Sequence, residues 1–266
     1  MSFRRLLAAL AAVAAAAALV PFAAPRAEAQ LGPGPGGQAP YAAQRSSGNE
    51  AGRFDYYSLV LSWSPTYCAG LRRGGYDPQC HRRDGKRYAF VLHGLWPQHE
   101  RGWPQNCPTR SRPFVPQRVI DGMLDIMPSP KLVIHEYRKH GTCSGLGPEE
   151  FFKVSRRLYE KVRVPPRYVQ PNQAFTASPA EVIRDFLSVN PTLKADQLAV
   201  SCGGPGNRLR EIRVCFSREG TYRACGRNED ARRLCGASRL YVPPVRGGSS
   251  DGDGDRGSSR RDERRI

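Results

Sequence analysis

Apolar and polar residues alternate along residues 54–63, with Tyr57, Leu59, Leu61 and Trp63 on one face. A period of two is the signature of a half-buried strand. Residues 87–95 repeat it through Tyr88, Phe90 and Leu92, and 209–216 and 239–242 read as two more strands. Elsewhere the period lengthens. Ser129-Pro130 joins an N-cap residue to a first-turn proline and Gly141 supplies a stop, which predicts a helix over 130–140. Phe151, Val154, Ser155, Leu158 and Val162 form the stripe of a second helix over 148–162. Ser178-Pro179-Ala180-Glu181 is a capping box ahead of a third over 182–189, and a shorter helix fits between Pro116 and Pro128. Strands and helices mix without βαβ alternation, so the pattern predicts an α+β domain.

The two ends have a different texture. Arg4 and Arg5, an apolar run over 6–20 and Ala27-Glu28-Ala29 together read as a secretory signal over 1–29. The run is short for a membrane span and Pro21 ends it, which weighs against an uncleaved anchor. Residues 30–52 are rich in Gly, Pro, Gln and Ala and read as a flexible linker. Residues 246–266 are Gly, Ser, Asp and Arg, too poor in apolar surface to offset their chain entropy, and disorder is expected there. That leaves 53–245 as one domain of ordinary size.

Charge and cysteine then narrow the class. The chain has 41 Lys+Arg against 24 Asp+Glu, a formal charge of +17, and the flanking segments contribute little of it. Such a domain draws in polyanions, whether nucleic acid, heparin-like chains or an anionic membrane. All eight cysteines lie inside it, an even number behind a secretory signal, so four disulfides and a secreted or periplasmic location are expected. No Cys-x-x-Cys pair occurs, which argues against a structural zinc site. Asn190 is followed by Pro191, so no glycosylation sequon is usable, and the Ala- and Arg-rich composition points to a bacterial source.

Chemistry concentrates in two stretches. At about 100° per residue, His135, Glu136, Lys139 and His140 share one helix face within about 140°, while Tyr137 and Arg138 point away. Two imidazoles, a carboxylate and an ammonium can move protons and hold a phosphate. A zinc hydrolase would need His-Glu-x-x-His; here the histidines are five apart, with the Lys139 cation between them in angle. The competing plain reading is a solvated charged face. The second stretch is His93-Gly94-Leu95-Trp96-Pro97-Gln98 at the end of a predicted strand. His93 can point into a cleft there and Trp96 can stack a base; alternatively Trp96 is core and His93 a turn residue.

Taken together, residues 90–97 (FVLHGLWP) and 135–143 (HEYRKHGTC) closely resemble the two active-site segments of the ribonuclease T2 family. The resemblance extends over about 55–242 and includes the early WSPTYC segment at 63–68. It implies a single domain with an antiparallel sheet flanked by helices. It also implies endonucleolytic RNA cleavage with no metal and no cofactor, RNA as the partner, and no membrane span or obligate protein partner in a monomeric mature form. By resemblance His140 is the general base, His93 the general acid, Glu136 and Lys139 stabilise the phosphorane, and His135 grips the phosphate. Trp96 and Gln98 would contact the base. The implied disulfides are Cys68–Cys80, Cys107–Cys143, Cys202–Cys235 and Cys215–Cys225.

The chain departs from the family pattern at two places. Tyr137 stands where the family usually has Trp, and Gln98 where some members carry an Asp that helps read the base, which leaves base preference open. Trp103 and Tyr67 are further stacking candidates, and His81 and His99 receive no role. A rival reading from another class is a silent relative that only binds RNA or another polyanion; the presence of both histidines argues against it.

Overall fold

A computed structural model describes residues 49–71, 75–81, 85 and 87–245. The expected signal at 1–29, most of the linker and the charged tail at 246–266 lie outside the described residues. The strands are β1 (Tyr56–Trp63), β2 (Phe90–Gln98), β3 (Phe175–Ala177), β4 (Leu198–Gly203), β5 (Arg208–Phe216) and β6 (Leu240–Val242). The helices are α1 (Ser64–Ala69), α2 (Gln117–Asp121), α3 (Pro130–Lys139), α4 (Pro148–Glu160), α5 (Pro179–Val189) and α6 (Ala231–Leu234). They form a single α+β domain around one apolar cluster.

The sheet runs β2-β1-β5-β6-β3, with β4 paired to β5. Its pairings are antiparallel except one parallel contact, Arg208 with Tyr241, where β6 takes up β5 beyond the end of β1. β1 is paired on both sides and is buried almost throughout; Tyr56, Ser58 and Val60 are as covered as Leu59 and Trp63. The alternation therefore separates two buried faces rather than one buried and one wet. Tyr57, Leu59, Leu61 and Trp63 face the apolar core, with Trp63 edge-on to Phe90 and Tyr168. The other face carries Ser58, Val60 and Ser62, aligned with Trp96 and Gly94 on β2 and with Cys215, Arg213 and Glu211 on β5.

β2 runs three residues past the predicted end, through Trp96, Pro97 and Gln98. Pro97 is tolerated because β2 pairs only with β1 among the described strands, so its missing N–H costs no ladder bond on the outer side. The β1–β2 register slips between Val60, opposite Gly94, and Leu61, opposite Leu92. His93 is the residue left over, and a bulge of this kind re-aims a side chain.

The helices follow their punctuation with two corrections. Ser178 and Glu181 form the full capping box of α5. Ser129 stands at the N-cap of α3, but its buried hydroxyl caps nothing. Gly141 does not stop α3 in a left-handed turn; the chain continues as a tight turn over Gly141–Ser144, and Gly145 takes the positive φ of 78°. Gly141 is needed for space instead, since a Cβ there would lie 2.5 Å from the Tyr137 ring. The predicted linker also ends early: Gly52, at φ 81°, donates its N–H to the Cys143 carbonyl at 2.9 Å.

Four disulfides close the chain: Cys68–Cys80, Cys107–Cys143, Cys202–Cys235 and, nested inside the last, Cys215–Cys225. Cys107–Cys143 ties the loop after β2 to the turn that follows α3. Loop-closure entropy assigns such a bridge about 2–4 kcal/mol. Asn106, beside it at φ 52°, donates its N–H to the Lys139 carbonyl and satisfies the end of α3.

Candidate active site

α3 and the bulged end of β2 bring four of the singled-out side chains together. His93 Nε2 lies 3.6 Å from Glu136 Oε1. Trp96 Nε1 donates to Glu136 Oε2 at 2.7 Å. The Trp96 ring stacks on His140 with centroids 4.9 Å apart, and the His93 ring meets it edge-on at 5.1 Å. This closeness requires Gly94: a Cβ there would sit 2.0 Å from Glu136 Oε2 and 2.7 Å from Trp96 Nε1. Tyr137, on the opposite side of α3, packs into the core beside Phe151 and Phe152.

The shared face of α3 is divided by depth. Glu136 and His140 are buried, at 1% and 3% exposure, whereas His135 is exposed and Lys139 partly so. His135 and Lys139 line a shallow depression with Asn106, Lys131 and Arg138. Arg138 also donates from Nε to the Pro113 carbonyl at 3.4 Å. His135 and Lys139 both act on His140 through charge, and His135 is coupled in the same way to His93.

The two inner histidines are tuned in opposite directions. Burial disfavours the charged form of His93, but its hydrogen bond to Glu211 and the charges of Glu136 and Glu211 outweigh burial and Arg213, and its pKa is raised. His140 is lowered to about 3 by burial first, then by Lys139, His93 and His135. Its Nδ1 is buried and has no hydrogen-bond partner. Burial raises the pKa of Glu136 despite His93, Trp96 and Lys139. The site thus sets a histidine biased toward its charged form and one biased toward its neutral form against one tryptophan ring.

Two residues of the site were not anticipated. Glu211 on β5 holds His93 Nδ1 at 3.1 Å, and Arg213 grips Glu211 Oε2 through Nε and Nη2 at 3.2 and 2.9 Å. The Arg213 guanidinium also lies 5.0 Å over the Trp96 ring. The available signal was a lone carboxylate among three arginines, Arg208, Arg210 and Arg213, in one strand segment. A cavity of about 700 Å³ opens beside His93 and Glu211, with Ser62, Tyr67, Gln79 and Arg210 among its walls.

The remaining candidates fall elsewhere. Gln98 is 3% exposed and its side-chain oxygen accepts from Asn228 at 2.9 Å, so it is covered in this structure. Tyr67 lines the cavity and bonds Asp77. Trp103 is exposed, His81 stacks on Tyr76, and His99 lies 3.8 Å from Asp55. Among the described residues, the one group with ligand atoms close enough to share an ion is Cys215, Cys225 and Glu229, whose cysteines are bonded to each other.

Comparison with known proteins places the chain. Residues 54–225 match the model of the Ribonuclease T2 family. A ribonuclease of Aeromonas hydrophila is 35% identical over 212 residues, 74% of this chain and 89% of that protein. Ribonuclease 3 of Arabidopsis thaliana is 36% identical over 126 residues, 42% of this chain and 54% of that one, so the chain spans about half of this plant relative. Among solved structures, a mutant of RNase MC1 in complex with 5′-UMP aligns with TM-score 0.54 at 22% identity, over 71% of this chain and 98% of that chain. An RNase-related protein from Calystegia sepium aligns with TM-score 0.53 at 19% identity, over 73% and 98%, and shares the fold. With the family match covering most of the folded region and both histidine segments inside it, the chain belongs to the ribonuclease T2 family of RNA-cleaving enzymes.

Proposed function

We propose that this enzyme cleaves single-stranded RNA by transphosphorylation, with His140 as base and His93 as acid. The observation that carries the reading is the opposed tuning of the two histidines around Trp96. The neutral His140 takes the proton of the ribose 2′-hydroxyl. The 2′-oxygen forms its bond to phosphorus while the bond from phosphorus to the 5′-oxygen breaks. His93 gives its proton to that leaving oxygen, and the product end is a 2′,3′-cyclic phosphate. A base with pKa about 3 is weak in the empty site, yet the causes that depress it are burial and neighbouring cations. Burial and Lys139 hold the His135 pKa below its ordinary value; a phosphodiester anion seated there offsets the Lys139 charge, favours the charged form of His135 and raises His140 toward useful basicity. The same cations, with Glu136 as a polarising partner, compensate charge growing on the phosphate oxygens.

Trp96 contributes base stacking through the part of its ring left open, and Gln98 hydrogen-bonds the base, with its preference open because a primary amide both donates and accepts. The catalytic domain is placed at 53–245, preceded by a signal at 1–29 and a linker and followed by a charged tail. The four disulfides fit export to the periplasm or beyond. No described helix is long and apolar enough to cross a membrane, and the protein is proposed to act as a monomer.

The test is cleavage of an RNA oligomer at about pH 5–7 with excess EDTA. Cyclic phosphate ends, intact matched DNA and a loss of at least about a hundredfold in His93→Ala and in His140→Ala are expected, the usual share of a general acid or base. An inert wild type, or variants that cut as well as it does, would overturn the reading and leave polyanion binding as the function.

A further inference from the structure

Glu211 occupies a position that the sheet has cleared for it. Its cross-strand neighbours are Ser62 on β1 and Ser201 on β4, both small. Two register slips meet around it: one leaves His93 unpaired on β2, the other leaves Arg210 unpaired between Cys202, opposite Leu209, and Ser201, opposite Glu211. The first slip turns His93 toward Glu211, and the small neighbours leave room for the contact. One Glu211 oxygen then meets His93 Nδ1 at 3.1 Å, and the other is held by two nitrogens of Arg213. Arg213 is fixed in turn by the Trp96 ring and by Glu229 at 3.8 Å, and Trp96 bonds Glu136, which faces His93 from its other side. His93, Glu211, Arg213, Trp96 and Glu136 therefore close a ring of contacts drawn from three elements.

Resting on the function proposed above, we infer that Glu211, oriented by Arg213, is a positioning residue that accepts the Nδ1 proton of His93 and leaves Nε2 as the nitrogen that delivers a proton to the leaving oxygen. A buried carboxylate without partners would protonate itself. Here burial is outweighed by His93 and Arg213, which hold the Glu211 pKa down to about 2, so it stays an anion throughout the working range. The groups that face His93 are Glu211 and Arg213 from β5 and Glu136 from α3, with His135 and His140 near the end of that helix. Of these, only Glu211 bonds the imidazole directly. Glu136 approaches no nearer than 3.6 Å and already accepts from Trp96. Losing the Glu211 charge therefore lowers the proton affinity of His93 and frees its tautomer.

The experiment compares wild type, Glu211→Gln and the shorter carboxylate Glu211→Asp on two substrates. One is a dinucleoside phosphate, whose alkoxide leaving group needs a proton. The other is a nucleoside 3′-(p-nitrophenyl phosphate), whose phenolate leaves without one. Glu211→Gln is expected to lose about ten- to a hundredfold in kcat on the dinucleoside phosphate and less than about threefold on the nitrophenyl ester, with Glu211→Asp in between on the first substrate. The alkaline limb of its pH profile moves to lower pH, and NMR titration shows the His93 imidazole shifted in the same direction. A parallel loss on both substrates makes Glu211 merely structural and overturns the inference, as does an unmoved His93 titration in Glu211→Gln. If wild type cuts no RNA the proposed function fails, while the His93 titration still decides the role of Glu211.

Discussion

His93 and His140 lie against one tryptophan ring yet belong to two regions built on different plans. His93 sits at a strand bulge between two carboxylates, Glu211 and Glu136, and is about one-third exposed. His140 sits at the end of α3, buried to 3%, with Lys139 beside it in sequence and His135 one turn earlier. The carboxylates favour the charged imidazole and the cations the neutral one. From groups with the same ordinary pKa the fold biases one imidazole toward its charged form and the other toward its neutral form. Glu211 of the central strand β5 and Glu136 of α3 set negative charge around one imidazole, and Lys139 at the helix end sets positive charge beside the other, so the proposed roles follow from where sheet and helix meet.

The largest effects come from removing one member of the pair and asking which half of the reaction suffers. His140→Ala is expected to lose at least about a hundredfold on both an RNA substrate and a nucleoside 3′-(p-nitrophenyl phosphate), because both need the 2′-hydroxyl deprotonated. His93→Ala should lose as much on RNA but little on the activated ester, whose leaving group needs no proton. Steady-state kinetics on the two substrates separates the roles. Equal losses for both variants on both substrates would erase the contrast between the two regions.

A smaller effect comes from disturbing the seam between the regions. Gly94→Ala puts a methyl 2.0 Å from Glu136 Oε2 and 2.7 Å from Trp96 Nε1, and those two atoms are bonded to each other. Neither can move without opening the contact that joins β2 to α3. Over-packing of this sort costs about 1–3 kcal/mol, to be read as a lower denaturant midpoint. Turnover should fall with it, since the separation of His93 from Glu136 is set at the same seam. Unchanged stability and turnover would mean that Glu136 has room the structure does not give it.

Much of this was legible in the chain. Periodicity located β1, β2, β5 and the three longer helices, because each buries a stripe long enough to repeat. It misjudged β1 as half-buried: alternation records two chemically different faces, not whether the second is wet, and Ser58 and Tyr56 are polar yet covered. β4 escaped because Leu198, Ala199 and Val200 are consecutive apolar residues buried on both faces, so no alternation shows, and β3 is only the three residues Phe175–Ala177. The four helix-borne candidates could be read from angle, but not their division into a buried and an exposed pair, which depends on Trp96 and on the bulge. Glu211 was out of reach for a different reason. It lies 118 residues from His93, and its role comes from strand register, which no local pattern encodes.

The smallest expected effect is also the most direct check on the helix-end region. Lys139 is the largest charged cause of the low His140 pKa, after burial itself. Replacing it with glutamine removes that repulsion, so the His140 pKa rises, opposite in sign to the fall expected of His93 in Glu211→Gln. Turnover also falls, because Lys139 is proposed to compensate phosphate charge, so titration and stability rather than rate are the readouts. In the wild type the folded pKa of about 3 lies below the unfolded value near 6.5. Between those values the unfolded chain binds the proton that folded His140 refuses, and stability falls as pH drops through that window. Raising the folded pKa narrows the window. Glu136 responds in the same sense, since Lys139 lowers it and its loss lets the pKa climb further. Lys139→Gln should therefore lose less stability than wild type between pH 7 and pH 4, by up to about 1 kcal/mol for a partly exposed cation. Urea midpoints across that range, paired with NMR titration of His140, decide it. A variant at least as acid-sensitive as wild type, with His140 unmoved, would mean that burial alone keeps the base neutral and that the cations at the helix end serve only the phosphate.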